Sequence, residues 1–436
     1  MQYNSNLNRR EFLQRAAVST VGIGILNVAR GGPVPRRESL ASVTPEQVGV
    51  NPQALQEAID FISKEFAAKT FPGAALVATR GGRKFVEKYW GICSGPDRDS
   101  IPYDASARNM MYSFSKAITA TITVMAHQDG LVDYDVPVSK YIGEFTGGGK
   151  ESITVRHVLT HSAGLSAAPL IPTYSESQWK TAIAKLCAME VEWVPGSRTA
   201  YHGYSGMLIA AEVVRRVSGN KPWNDICRER LFDPLDSGFT FRIPTGDAPI
   251  ALVSKPKSYP WPMDTDHEQS LGHPSAGAFA RTDDMLKLLN LHLNNGIWNG
   301  KTLIQPDALK EMHRVQYQKQ IDASVTAGQV PKHEFWGLGW LLRGTTKESW
   351  FGFGNVASAQ TFSHAGVDTV IGLADPANDV AMVFMTTASP GDAAVTMRLR
   401  NTVTNKVMAA ASGNPKINDP DCGGCMPVQR GRGGGV

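Results

Sequence analysis

The sequence is poor in cysteine, in net charge and in long apolar runs. Five cysteines in 436 residues are too few for a fold held together by disulfides. The formal net charge of +4 gives no reason to expect a nucleic acid or an acidic partner. No stretch reaches the roughly 20 apolar residues of a membrane span, and no phosphate loop or dinucleotide fingerprint occurs. We therefore expect no cofactor and no stable membrane span, unless an N-terminal signal stays attached.

What the chain does have is the composition of a globular protein. Hydrophobic residues make up 42% of it and charged residues 19%. A chain of this length can bury a core that needs neither a metal nor disulfides for its stability. Length alone favours two or three domains.

The N-terminal segment predicts an export signal. Arg9-Arg10 followed by Phe12-Leu13 resembles a Tat signal, and the apolar run Ala16–Ala29 has the length of a signal peptide. We expect residues 1–31 to be a Tat-type signal segment and residues 32–44 a linker. The protein would then act in the periplasm or outside the cell.

Strands are predicted near both ends of the mature chain and helices in its middle. Apolar residues at helical spacing predict a helix over 51–66, and the next two apolar runs flank Gly81-Gly82 as a β-hairpin. Residues 113–230 are mostly helical in pattern. This order indicates an α+β fold with a helical domain inserted into it.

The C-terminal third continues this pattern. Residues 369–374 and 380–387 predict two strands joined by a turn, and a helix is expected over 393–411. Residues 412–436 are rich in glycine and proline and are expected to be disordered.

Ser113 and Lys116 form an S-x-x-K motif at the start of an apolar helix. Residues three apart share a helix face, so the lysine amine would lie beside the serine hydroxyl. A hydroxyl needs a neighbouring base to become a nucleophile, and a lysine among apolar groups can lose its proton near neutral pH. A helix-capping serine and a solvated lysine would produce the same short motif, so the motif alone is weak.

An ordered set of segments makes the motif specific. The chain resembles the serine β-lactamase and penicillin-binding protein family, in the branch that holds class C β-lactamases, D-alanyl-D-alanine peptidases and related esterases. The resemblance covers roughly residues 45–410. The segments that carry it are Tyr112–Pro137, Ile153–Leu165, Pro195–Gly219, Gly277–Asp284 and Phe362–Gly366.

The resemblance implies a β-lactamase/transpeptidase-like fold, with an antiparallel sheet flanked by helices and the active site between the sheet and the helical part. Tyr201 occupies the place of the family tyrosine that faces the serine and the lysine. A phenol near an ammonium group is expected to have a lowered pKa, because the phenolate gains a charge partner. Tyr201 or Lys116 would be the base, and the sequence leaves both possible.

The resemblance also assigns a substrate-binding strand. His364, Ala365 and Gly366 occupy the place of the family's K-T-G or H-x-G motif. An oxyanion hole is expected from the main-chain N–H of Ser113 and that of Val367 or Asp368.

Two departures from the family pattern bear on the substrate. Gly203 stands where the family usually has an asparagine that binds the substrate amide, and His364 replaces a lysine. We therefore expect a serine hydrolase that forms an acyl-enzyme with a small-molecule ester or amide. An esterase is favoured over a D-alanyl-D-alanine carboxypeptidase and a β-lactamase, and a non-hydrolysing penicillin-binding sensor is a further alternative. His202 or Ser205 could compensate for the missing asparagine.

Other motifs are interpreted as structural. His157 and His161 are four residues apart, as in a metal site, but Val158 replaces the glutamate of the metalloprotease motif. Cys422 and Cys425 form a lone C-x-x-C pair in the predicted tail. We expect no metal site, and the oligomeric state is left open.

Overall fold

The computed structural model describes residues 40–93, 101–166, 173, 175–242, 250–251, 272–345 and 352–412. The predicted signal segment, the predicted disordered tail and the C-x-x-C pair lie outside these residues. No helix among the described residues is long and apolar enough to cross a membrane.

Among the described residues, the strands form one large sheet and two small ones. They are β1 (Gly73–Arg80), β2 (Arg83–Gly91), β3 (Arg108–Met110), β4 (Ile250–Ala251), β5 (Phe279–Ala280), β6 (Ile297–Trp298), β7 (Lys301–Thr302), β8 (Leu341–Leu342), β9 (Phe362–Gly366), β10 (Val370–Asp375) and β11 (Val380–Thr386). The large sheet has the strand order β2-β1-β11-β10-β9-β8, and every neighbouring pair in it is antiparallel.

Helices cover both faces of this sheet and dominate the middle of the chain. They are α1 (Pro52–Ala67), α2 (Ser115–Gln128), α3 (Val155–Leu159), α4 (Glu176–Ala188), α5 (Ser205–Val217), α6 (Trp223–Cys227), α7 (Thr282–Leu293), α8 (Pro306–Met312), α9 (Gln318–Thr326) and α10 (Ala393–Ser412). Single turns of 3₁₀-helix occur at Pro45–Val48, Tyr112–Phe114, Val138–Lys140 and Lys150–Ser152, and a π-helical turn at Arg228–Phe232.

The predicted local elements follow from ordinary capping and turn chemistry. The Asn51 side chain accepts hydrogen bonds from the N–H groups of Gln53 and Ala54 and so starts α1. Gly81 and Gly82 have φ angles of 59° and 75°, which suit the turn between β1 and β2. The predicted α+β fold with an antiparallel sheet is confirmed.

The two faces of the sheet belong to two different parts of the core. On β1, Leu76 is buried with residues of α1 and α10 such as Ile62 and Val407. The next residue, Val77, is buried with residues of α2 and α7 such as Ile118 and Leu286. This alternation is what a strand covered on both faces requires.

Helix α2 is the central helix, and its N-terminus meets the sheet at β9 and β10. Twelve of its fourteen residues are buried. An added Cβ at Gly372 of β10 would lie 2.7 Å from the Phe114 ring, so the strand and the start of α2 are in close contact. The same contact fixes where Ser113 lies relative to β9.

Candidate active site

Ser113 lies in the 3₁₀ turn that leads into α2 and is half-buried. Tyr112, just before it, has a φ of 44°, a left-handed conformation that is unusual for a residue with a large side chain. Strained backbone of this kind persists only where the surrounding structure fixes it, and it is common at active sites. The main chain around Tyr112 is held by the Met111 N–H, which donates to the Ala278 carbonyl at 2.7 Å.

The Lys116 side chain is completely buried at the site. Its Nζ lies 3.2 Å from Ser113 Oγ and 3.0 Å from the Ser275 carbonyl oxygen, and the residue has no exposed surface. Burial lowers its pKa to about 7, and in the described part of the chain no carboxylate pairs with it to oppose this. Near neutral pH a large share of Lys116 is therefore an uncharged amine, which can accept the Ser113 proton.

Tyr201 faces the same serine from the start of the segment before α5. Its hydroxyl lies near the Ser113 side chain, and Lys116 Nζ lies 5.0 Å from the centre of its ring. The residue is 37% exposed, yet its hydroxyl is enclosed by protein, and this burial raises its pKa. The expected lowering of the Tyr201 pKa is wrong, because burial of the hydroxyl disfavours the phenolate more than its surroundings favour it.

The segment before β5, residues 274–278, forms hydrogen bonds with the start of α2. Ser115 Oγ accepts a hydrogen bond from the Ala278 N–H at 3.0 Å, and Thr119 donates to the Pro274 carbonyl at 2.8 Å. Ser275 Oγ donates to the Tyr204 carbonyl at 2.8 Å. One short segment thus ties the helix that carries Ser113 to the chain that carries Tyr201.

Strand β9 brings the predicted substrate-binding residues next to Ser113. Its pairing with β8 covers only Phe362 and Ser363, so His364–Gly366 have no strand partner on that side among the described residues. An added Cβ at Gly366 would lie 2.2 Å from the Met111 carbonyl oxygen. Only glycine therefore permits this close approach between β9 and the turn that carries Ser113.

His364 is fully buried beside this approach. Its Nδ1 lies 2.9 Å from the Ala365 carbonyl, which can only accept, so Nδ1 carries the proton and Nε2 is an acceptor without a partner among the described residues. Burial and the neighbouring Lys116 lower the His364 pKa to about 3. The strand therefore presents a neutral imidazole where the family more often has a cationic lysine.

The turn after β9 is fixed by an arginine on α10. Val367 has a φ of 36°, and Arg400 donates to the carbonyls of Gly366, Val367 and Val370. In the described part of the chain, no oxygen accepts a hydrogen bond from the main-chain N–H of Ser113 or of Val367. The two expected oxyanion donors are thus both available.

Aromatic and imidazole rings form the wall beyond Tyr201. The His161 ring centre lies 4.7 Å from that of Tyr201 and 4.4 Å from that of Trp336. His202, next to Tyr201, is buried, and burial lowers its pKa to about 4. Sequence reasoning missed Trp336 and assigned His161 no place near Ser113. The segment Thr160–Leu165 could have indicated a place for His161 near Ser113, because it is part of one of the segments that carry the family resemblance.

The remaining predicted residues take ordinary structural places. The Ser205 hydroxyl donates to the Ser166 carbonyl at 2.9 Å, so it is already engaged and does not replace the asparagine missing at Gly203. His157 shares a capping box with Thr154 at the start of α3. Within the described residues, no cluster of three or more histidine, cysteine or acidic side chains could hold a metal ion.

We predict that Gly366→Ala slows the labelling of Ser113 by a fluorophosphonate about a hundredfold, because the new Cβ must displace either β9 or the turn before Ser113. Gly143→Ala is the matched control, since a Cβ at Gly143 meets nothing within 4 Å. Labelling is followed by intact-mass spectrometry. Equal rates for the two variants would contradict the close approach described here.

Known proteins are similar to this chain over most of its length. The family model described as Beta-lactamase matches residues 58–404. A Salmonella paratyphi B protein, provisionally named a D-alanyl-D-alanine carboxypeptidase, is 24% identical over 392 residues, which cover 79% of this chain and 85% of that protein.

Solved structures share the fold. A penicillin-binding protein homologue from Caulobacter crescentus superposes with a TM-score of 0.67 at 22% identity, over 84% of this chain and 98% of that one. A family VIII carboxylesterase superposes with a TM-score of 0.64 at 20% identity, over 81% of this chain and 98% of that one. The chain belongs to the beta-lactamase family and is a serine hydrolase.

Proposed function

We propose that the protein is an esterase that hydrolyses uncharged small-molecule esters through an acyl-enzyme on Ser113. The observation that carries this proposal is the fully buried Lys116 amine, 3.2 Å from Ser113 Oγ, whose pKa burial lowers to about 7. A serine hydroxyl with an adjacent base is the arrangement that nucleophilic acyl transfer requires.

In acylation, Ser113 Oγ attacks the ester carbonyl carbon and its proton passes to Lys116 Nζ. Because the pKa of Tyr201 is raised, its phenol keeps its proton at neutral pH and acts as an acid. Tyr201 gives this proton to the leaving alkoxide as the C–O bond breaks, and Lys116 then returns a proton to Tyr201. Both groups are restored, and the alcohol leaves.

The developing oxyanion is stabilised by two main-chain donors, the N–H groups of Ser113 and Val367. The position of Val367 is supported by Arg400, which holds the carbonyls on the other side of the turn. Donors that are fixed in advance cost no reorganisation during the reaction.

Deacylation uses the same groups. Water attacks the acyl carbon and its proton passes to Lys116, which is again uncharged. Ser113 then leaves as the acid forms, and the proton returns to its oxygen. The net reaction is ester plus water to acid plus alcohol.

The uncharged site favours esters over peptides that end in a carboxylate. His364 is neutral because its pKa lies near 3, so β9 offers no fixed positive charge to a carboxylate. Gly203 offers no side chain to a substrate amide. The proposal is supported by a family VIII carboxylesterase that has the same fold.

A D-alanyl-D-alanine carboxypeptidase is the second candidate. It is favoured by one observation, the name given to the Salmonella relatives at 24% identity. Its substrate ends in a carboxylate, so the two candidates differ in whether that charge helps or hinders turnover.

We predict that p-nitrophenyl butyrate or a fluorophosphonate forms a single adduct on the Ser113 peptide, and that Ser113→Ala forms none. Turnover of the nitrophenyl ester, of a D-alanyl-D-alanine peptide and of a penicillin then ranks the substrate classes. Ser106→Ala is the matched control, since Ser106 lies in a surface turn. Full hydrolysis by Ser113→Ala would contradict the proposal, and a stable adduct without turnover would indicate a sensor instead.

We predict that kcat/KM for the ester rises with pH up to about 7 and is level above it. Below pH 7, Lys116 is protonated and cannot accept the Ser113 proton, so the rate falls tenfold for each pH unit. The pH–rate profile between 5 and 10 measures this. A rise that continues to pH 10 would mean that Lys116 keeps an ordinary pKa.

We also propose that residues 1–31 direct export through the Tat pathway, and this rests on Arg9-Arg10 and the apolar run Ala16–Ala29. In a bacterium with a working Tat system, we expect Arg9→Lys with Arg10→Lys to retain the protein in the cytoplasm. The same change at Arg36-Arg37 is the control. Identical cell fractions for both double variants would contradict a Tat signal.

A further inference from the structure

His161 holds the chain on both sides of Tyr201. Its carbonyl oxygen accepts a hydrogen bond from the Ala200 N–H at 2.8 Å, and its side-chain Nδ1 accepts one from the His202 N–H at 3.1 Å. These donors belong to the residues immediately before and after Tyr201. We propose that His161 is a positioning residue that fixes Tyr201 so that its hydroxyl reaches Ser113 and the leaving group.

The main chain of His161 adopts an uncommon conformation that suits these two hydrogen bonds. Its φ is 55°, in the left-handed region that few residues other than glycine adopt, and the residue is completely buried. Such a conformation persists only when contacts around it fix it. It allows one residue to offer its carbonyl and its ring nitrogen to the same short segment.

The hydrogen bond from the His202 N–H to Nδ1 determines which ring nitrogen of His161 carries the proton. A main-chain N–H can only donate, so Nδ1 of His161 must be an unprotonated acceptor and the proton lies on Nε2. Protonation of Nδ1 would replace the bond with a repulsion. Burial and the neighbouring His202, Lys116 and His364 keep the His161 pKa well below its usual range, so the accepting form is the one present.

Ring contacts also hold Tyr201 in place. The Tyr201 ring centre lies 4.7 Å from that of His161, and it stacks on Trp336 at 6.1 Å. The residue is also 37% exposed, so part of its side chain faces solvent. Loss of the His161 contacts should therefore release the phenol toward solvent.

The inference rests on the proposed function, in which Tyr201 protonates the leaving alkoxide. An ethyl ester needs that proton, because ethoxide is a poor leaving group, whereas p-nitrophenolate leaves without it. A displaced Tyr201 therefore slows the ethyl ester far more than the nitrophenyl ester of the same acid. A general loss of packing slows both in equal proportion.

The test measures kcat/KM for ethyl butyrate and for p-nitrophenyl butyrate in four proteins: wild type, Tyr201→Phe, His161→Leu and His161→Asn. We expect Tyr201→Phe to lower the ethyl-ester value about a hundredfold more than the nitrophenyl-ester value. His161→Leu should show the same selective loss, by at least about tenfold. His161→Asn should restore the wild-type ratio, because its Oδ1 can accept from the His202 N–H and asparagine tolerates a left-handed φ.

Thermal unfolding of each variant separates folding from chemistry. If His161→Leu does not fold, His161→Gln takes its place, since its amide lies one bond too far out to accept in the same position. Equal losses for both esters, or an unchanged ratio in a folded Leu or Gln variant, would overturn the inference. If the wild-type chain hydrolyses neither ester, the proposed function fails and the inference falls with it. If the wild type hydrolyses both esters and the folded His161 variants show no selective loss, the inference is overturned but the proposed function is not.

Discussion

The structure depends on one constraint, the burial of the Lys116 amine beside Ser113 with no compensating carboxylate among the described residues. The lysine pKa falls from 10.5 to about 7, so charging the amine here costs about 5 kcal/mol more than in water. An acidic neighbour would remove this cost, but it would also keep the amine protonated and useless as a base. The surrounding core must therefore supply the stability that this residue does not.

The elements that surround Lys116 exclude water from its amine and hold it close to Ser113. Helix α2 is buried along nearly its whole length, and the segment before β5 caps its start with hydrogen bonds to Ser115 and to Lys116 itself. Strand β9 closes the other side and can come near only because residue 366 is glycine. The histidines at the site, His161 and His364 among them, are neutral for the same reason that Lys116 is, so they add no charge to the pocket.

The fold was largely predictable because its signals are local. The hairpin at Gly81-Gly82, the helix that begins after Asn51 and the last two strands follow from turn residues and apolar periodicity. The S-x-x-K pair was predictable for the same reason, since residues three apart share a helix face. The sequence and the resemblance together predicted one site for Ser113, Lys116, Tyr201 and His364. In the structure these side chains lie near one another, and their catalytic roles stay a prediction.

What the sequence missed depends on burial and on contacts between distant segments. The direction of the Tyr201 pKa shift was wrong because the prediction considered only a charged neighbour, whereas burial of the hydroxyl decides the shift and is not visible in the sequence. His161 was treated as structural because nothing in its spacing indicates that its ring and carbonyl both meet the segment around Tyr201. Trp336 comes from a different part of the chain altogether, and only the folded structure stacks it on Tyr201.

The central claim is that the Lys116 pKa lies near 7, so that a large share of the amine is uncharged at neutral pH, and its own titration tests this most directly. Protein labelled with ¹³C at the lysine ε-carbon is titrated by NMR, with Lys116→Arg used to assign the signal. The account predicts one lysine that titrates near pH 7 and is missing in the variant, while the other lysines titrate near 10. A Lys116 signal that stays in its protonated position up to pH 9 would contradict the account.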